Sequence, residues 1–102
     1  MSKVCLVVKL VAHEGRGDEI VRAFEPMFAQ VEQEPGTEAY ALNRASSDPD
    51  TLFLYELYAD GSALESHLQS DVMKAVFAVV SECVKERERF EGIPVRTYGF
   101  GD

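Results

Sequence analysis

An α+β fold built on an antiparallel sheet is predicted, and three observations predict it. Strand-like and helix-like segments follow one another in the order β-α-β-β-α-α-β. The first strand-like segment is apolar on both sides, as a central strand covered twice would be. A short polar loop joins the second and third strands, which makes them a hairpin.

The first strand runs from Lys3 to His13, with Val4, Leu6, Val8 and Leu10 on one face and Cys5, Val7, Lys9 and Val11 on the other. Glu14-Gly15-Arg16-Gly17 is a turn. From Asp18 to Gln33 the apolar residues Ile20, Val21, Phe24, Met27, Phe28 and Val31 recur at helical spacing. Pro26 lies inside this stretch and should kink or break the helix, because its ring removes one hydrogen bond and crowds the preceding turn. Pro35-Gly36 ends it.

Thr37 to Arg44 is the second strand, and Ala45 to Asp50 the hairpin loop. The third strand, Thr51 to Ala59, places Leu52, Leu54, Glu56 and Tyr58 on one face, with Phe53, Tyr55 and Leu57 on the other. A short helix follows, ending near Gln69. Ser62 and Glu65 have the spacing of a capping box, which would hold this helix independently of its histidine, His67.

Ser70 and Asp71 open the next helix, whose stripe includes Val72, Met73, Val76, Phe77, Val80, Cys83 and Val84. The charged run Lys85-Glu86-Arg87-Glu88-Arg89 reads as the solvated end of this helix, terminated by Gly92 and Pro94. Val95 to Phe100 is expected to be the last strand. With a right-handed crossover from the first strand to the second, this order is the ferredoxin-like split βαβ arrangement. Helices cover only one face of such a sheet. The other face would leave Val, Leu and aromatic side chains in water, and a second copy packed sheet on sheet would cover them, so a homodimer is expected.

Size and composition narrow the function. A chain of 102 residues, 46% hydrophobic and with four Tyr and six Phe, is expected to form one folded domain over residues 1–102. A net charge of −8 argues against nucleic-acid partners and anionic membranes, both of which attract basic faces. Cys5 and Cys83 are distant in sequence and read as reduced thiols packed as small hydrophobes. No secretory leader or membrane-spanning stretch is recognisable, so a cytoplasmic location is expected. His13 and His67 lie far apart without metal-ligand spacing, and no glycine-rich nucleotide loop follows a strand, so neither a metal nor a cofactor is expected.

What remains is a pocket. Glu56 sits mid-strand, where a half-buried charge is costly unless it is paired. His67 follows on the short helix and can move protons near neutral pH. The two can meet over one site. Tyr40, Asn43, Tyr55 and Tyr58 carry phenol or amide tips able to orient a ligand. His13 reads as a surface residue.

These residues also carry a resemblance. Glu34-Pro35-Gly36, Tyr40, Asp48-Pro49, the strand Phe53-x-x-Glu56-x-Tyr58, and Ala63-Leu64-x-x-His67-x-x-Ser70 resemble the antibiotic biosynthesis monooxygenase domain family along nearly the whole chain. Tyr58 stands where the family often has tryptophan. The resemblance implies a ferredoxin-like domain that pairs sheets into a dimeric α+β barrel, with a ligand pocket between sheet and helices in each subunit. Members differ in activity: some oxygenate phenols or quinols without metal or flavin, some degrade haem, and some isomerise small phosphorylated sugars. The haem degraders use an asparagine, a tryptophan and a histidine, at positions matching Val8, His67 and Phe77 here. All three are absent, which argues against haem.

The expected function is therefore cofactor-independent oxygenation of a small phenolic or quinol-like substrate by dioxygen. His67 and Glu56 are the expected catalytic residues. Tyr40, Asn43, Tyr58 and Phe77 are the expected substrate contacts. The alternatives are a non-catalytic dimeric small-molecule-binding or stress-response module, and a sugar-phosphate isomerase. The isomerase would need a basic site, for which Arg44, Arg96 and Lys9 are the candidates near strand faces.

Overall fold

The computed structural model describes residues 2–99. Among them the elements are β1 (Val4–Ala12), α1 (Gly17–Ala23), α2 (Glu25–Val31), β2 (Thr37–Arg44), β3 (Thr51–Tyr58), α3 (Gly61–Leu68), α4 (Asp71–Cys83) and β4 (Val84–Gly92). The strands form one antiparallel sheet in the order β2-β3-β1-β4, the ferredoxin-like arrangement expected from the sequence. β1 is central because both of its edges are paired. β4 is an edge strand.

The helix broken by Pro26 is two helices. Phe24 forms the joint, and Pro26 falls in the first turn of α2, where a missing N–H leaves no bond unmade. Both pieces still present one apolar side. Ile20, Phe24 and Met27 pack with Leu10, Leu52 and Leu54 of the sheet and with Val76, Val80 and Cys83 of α4. A smaller cluster of Leu6, Tyr58 and Leu64 closes the other end beneath α3. Each large side chain taken fully out of water contributes about 1.5–3 kcal/mol, so this face holds the helices to the sheet. The opposite sheet face carries exposed Lys9, Phe53 and Phe90.

Three local expectations are corrected. The residue capping α3 is Asp60, whose carboxylate accepts from Ala63 N at 2.9 Å; the helix begins at Gly61, one residue too early for Ser62 to cap it. The charged run after Cys83 is β4 and not a helix end: pairing with β1 supplies its backbone bonds, and an edge strand tolerates exposed charge on both faces. No strand forms over residues 95–99, because β4 has already taken the place beside β1; Phe100 lies outside the described residues. Cys5 and Cys83 are free thiols, and His13 is exposed, both as expected.

Candidate functional site

Three elements converge on His67. It belongs to α3, which starts at the Asp60 cap and ends where Ser70 Oγ donates to the His67 carbonyl at 2.9 Å. The same hydroxyl accepts from Met73 N at 3.1 Å, so one side chain joins the end of α3 to the start of α4. The imidazole is 1% exposed. Its ring stacks at a tilt between Tyr40 of β2 and Tyr58 of β3, with centroid separations of 5.4 and 5.3 Å.

Both ring nitrogens face carboxyl groups. Nδ1 lies 2.9 Å from Glu34 Oε1, and Nε2 lies 3.8 Å from Glu56 Oε1. Glu34 stands in the segment between α2 and β2 and is the true partner of the ring. It also accepts from Thr37 Oγ1 at 2.7 Å and from Gln30 Nε2 at 2.9 Å. Burial raises its carboxyl, but the hydrogen bonds from Thr37, Gln30 and His67 together outweigh burial and hold it below the ordinary glutamate range.

Glu56 has the opposite balance. It pairs across the sheet with Leu6 and Tyr40, is 3% exposed, and accepts a hydrogen bond from the Tyr58 hydroxyl. Burial pushes its carboxyl up, and the relief given by Tyr58, His67 and Arg89 does not cancel it. The phenols of Tyr40 and Tyr58 are raised, chiefly by burial and next by Glu56, so both remain protonated donors.

His67, Glu56, Tyr40 and Phe77 line one cavity between the sheet and the helices. Leu6, Val8 and Leu54 form its sheet wall, with Phe24, Leu68 and Met73 across from them. Its volume is about 160 Å³, close to the roughly 150 Å³ of an apolar cavity known to take one benzene ring. Tyr58 lies behind this lining and acts on it through Glu56. Asn43 is placed elsewhere: its register partner is Phe53, on the opposite sheet face, and its amide donates to the Phe53 carbonyl at 3.2 Å. Side chains alternate along a strand, and Asn43 is an odd number of residues from Tyr40.

Three further groups of the site escaped the sequence reading, Glu34 behind the imidazole and two arginines in the cavity lining. Glu34 had no local signal for its role beyond its place before Pro35-Gly36, since the contact spans 33 residues. Arg87 and Arg89 line the cavity from β4. Their signal was present as a sign alternation, Glu86, Glu88 against Arg87, Arg89, with a period of two. Of the basic residues considered from sequence, Arg44 is bonded to Asp18 at 2.8 Å and Lys9 lies 3.9 Å from Glu88 on the far face.

The comparisons with known proteins agree with this geometry. The sequence profile described as antibiotic biosynthesis monooxygenase matches residues 3–79, and the chain belongs to that family. No functionally curated protein matches the sequence. Among solved structures, a candidate antibiotic biosynthesis monooxygenase from Caulobacter crescentus CB15 is similar at 25% identity and a TM-score of 0.85, over 93% of this chain and 92% of that one. A second such candidate, from Nitrosomonas europaea, has 17% identity and a TM-score of 0.87 over 96% and 95% of the two chains. A protein from Mycobacterium tuberculosis reaches a TM-score of 0.88 at 19% identity, over 96% of this chain and all of its own. The last two likenesses concern the fold. Among the described residues no helix is long and apolar enough to cross a membrane, and no group of three metal-ligating side chains is assembled.

Proposed function

We propose that the protein is a cofactor-independent monooxygenase for a single-ring phenol or hydroquinone. One observation carries the reading: a buried imidazole whose Nδ1 is tied to the Glu34 carboxylate stands at the wall of an apolar, ring-sized cavity. An ionised Glu34 accepts from Nδ1–H, which leaves the lone pair of the neutral ring on Nε2, beside Glu56 and the cavity.

The chemistry follows from that tautomer. Triplet dioxygen reacts slowly with closed-shell organics unless the substrate gives up an electron. Nε2 takes the phenolic proton, and the resulting imidazolium is stabilised by Glu34. The phenolate transfers one electron to dioxygen, and the two radicals join through a new carbon–oxygen bond at the ring. The imidazolium returns its proton to the outer oxygen. The attacked ring carbon then loses its hydrogen as a proton while the O–O bond breaks, so that proton and the departing hydroxide make water. One oxygen remains on the ring and the other leaves as water, so a hydroquinone plus dioxygen gives a hydroxyquinone plus water. The apolar walls keep bulk water from the radical pair.

We also propose that two copies pair through the sheet face opposite the helices. Phe53, Phe90, Ile93 and Val95 are exposed there or just beyond β4, at 39%, 61%, 66% and 100%. The cavity lies on the helical face and would remain open in such a dimer.

An oxygen-electrode assay across substituted hydroquinones, with no flavin or metal added, tests the activity. Uptake that falls roughly 10²-fold or more in His67→Ala supports the reading. Saturable binding without uptake makes the protein a binding module. Because His67 is buried and bonded to Glu34, its removal also costs stability, which corrects the view that the helix holds without it. Rates must therefore be normalised to folded protein.

A further inference from the structure

The cavity contains two guanidinium groups that the proton chemistry above does not use. Arg87 and Arg89 lie on β4 opposite Leu10 and Val8, and all four side chains line the cavity. Their neighbours Glu86 and Glu88 pair with Val11 and Lys9 and point to the other sheet face. Edge protection alone would require charge on this strand. It would not require that both arginines turn toward the cavity while Glu86 and Glu88 turn away; the third glutamate of the strand, Glu91, shares the arginines' face but lies outside the cavity lining. In a chain of net charge −8, this sorting concentrates positive charge at one mouth.

The two arginines are held differently. Arg87 sits 4.9 Å over the ring of Phe77, a cation–π contact that engages the guanidinium without using its N–H groups. Among the described residues no carboxylate lies within ion-pair distance of Arg87. Arg89 reaches Glu91 at 3.2 Å on the exposed rim, with about half of its side chain in water. The acid in the lining itself, Glu56, is buried on β3 and bonded to Tyr58.

We infer that the cavity takes an aromatic acid: one hydroxylated ring against Leu6, Leu54 and Tyr40, carrying an anionic substituent that Arg87 and Arg89 bind at the mouth. The inference rests on the proposed phenol site and narrows its substrate class. Planar guanidinium forks match a carboxylate in two-pronged geometry, which fixes the ring's orientation and turns one edge toward His67.

The test measures binding and does not depend on turnover. Isothermal titration compares 2,5-dihydroxybenzoate with its methyl ester, which keeps the ring and hydroxyls and loses the charge. The acid should bind roughly tenfold or more tightly, the scale of a charge-assisted hydrogen bond. Arg87→Gln and Arg89→Gln, each on an exposed edge strand, should each narrow that ratio by weakening the acid more than the ester. Equal affinities for acid and ester, or an acid preference untouched by both variants, would overturn the inference. So would binding of deoxyribose 5-phosphate in place of both aromatics. If the acid binds through the arginines and no oxygen is consumed, the inference stands and the oxygenase reading fails.

Discussion

Gly36→Ala tests the contact that brings the site together. A Cβ on Gly36 would lie 2.4 Å from the Cβ of Ala63 on α3, while carbon atoms in contact normally sit about 3.5–4.0 Å apart. Relieving the clash requires α3 to move by more than about 1 Å, since neither methyl group has a torsion that could turn it aside. Overpacking of this kind costs about 1–3 kcal/mol. For a chain of this size each kcal/mol lowers Tm by about 4–8 °C, so a loss near 2 kcal/mol lowers it by roughly 8–16 °C. His67 lies one turn after Ala63 on the same side of α3, so the shift also stretches its 2.9 Å bond to Glu34. Misplacing a reacting group by 1 Å can cost about 10² in rate. Ala63→Gly alone should cost about 1 kcal/mol as a helix glycine. Combined, the two substitutions should be less damaging than Gly36→Ala alone, a coupling of about −2 kcal/mol in a double-mutant cycle read by thermal melts. Additive melts, or a Gly36→Ala protein that melts like wild type, would refute the close approach of α3 to this turn.

Three other expectations follow from the charges and the sheet. Glu34→Gln should lose stability relative to wild type at neutral pH: a carboxyl held below its ordinary value of 4.5 contributes above that value, and the difference should vanish as pH falls through the lowered one. Glu56→Gln should do the reverse, matching wild type below pH 4.5 and gaining on it as pH rises through the raised value of Glu56; denaturant titrations stepped from the acid range to neutral pH read both trends. Light scattering at micromolar concentration should give the mass of two chains, and a stable monomer would remove the sheet-pairing proposal.

Much of the fold was legible because its central strands are rich in apolar and β-branched residues and are bounded by turn signals. β2 spans the residues expected of it, Thr37–Arg44, and β1 and β3 end within a residue of expectation. Pro26 marked the joint between α1 and α2 because its effect is local and covalent. β4 was hidden because an edge strand need not be apolar, and KERER has no hydrophobic period to read. Only its alternating charge sign carried the period of two. Glu56 and His67 were legible as unusual residues in their elements. That Glu34, and not Glu56, holds the ring was not, because the contact depends on how the turn after α2 meets α3. The separation of Asn43 from Tyr40 was legible in principle, since strand residues an odd number apart face opposite ways.

The roles of the two acids follow from a difference in donors. Both lie beside one imidazole, where two ionised carboxylates would repel. Glu34 receives hydrogen bonds from Thr37, Gln30 and the ring, while the Tyr58 hydroxyl is the donor that reaches Glu56. Glu34 is therefore the acid that stays ionised, and Glu56 is the one that takes up a proton first as pH falls. That asymmetry sets the ring's tautomer: Nδ1 donates toward Glu34, and Nε2 accepts on the side of Glu56 and the cavity. It also gives the proton a direction. Glu34 lines a polar groove of about 400 Å³ with Gln30, Thr37 and Ser62, on the side of α3 away from the apolar cavity. In the proposed reaction, a proton taken from a phenol at Nε2 would lie one imidazole away from a carboxylate that borders solvent. With Glu56 ionised and Glu34 protonated, Nε2 would carry the hydrogen and the site would have no base facing its substrate. The donors around Glu34 are what prevent that reversal.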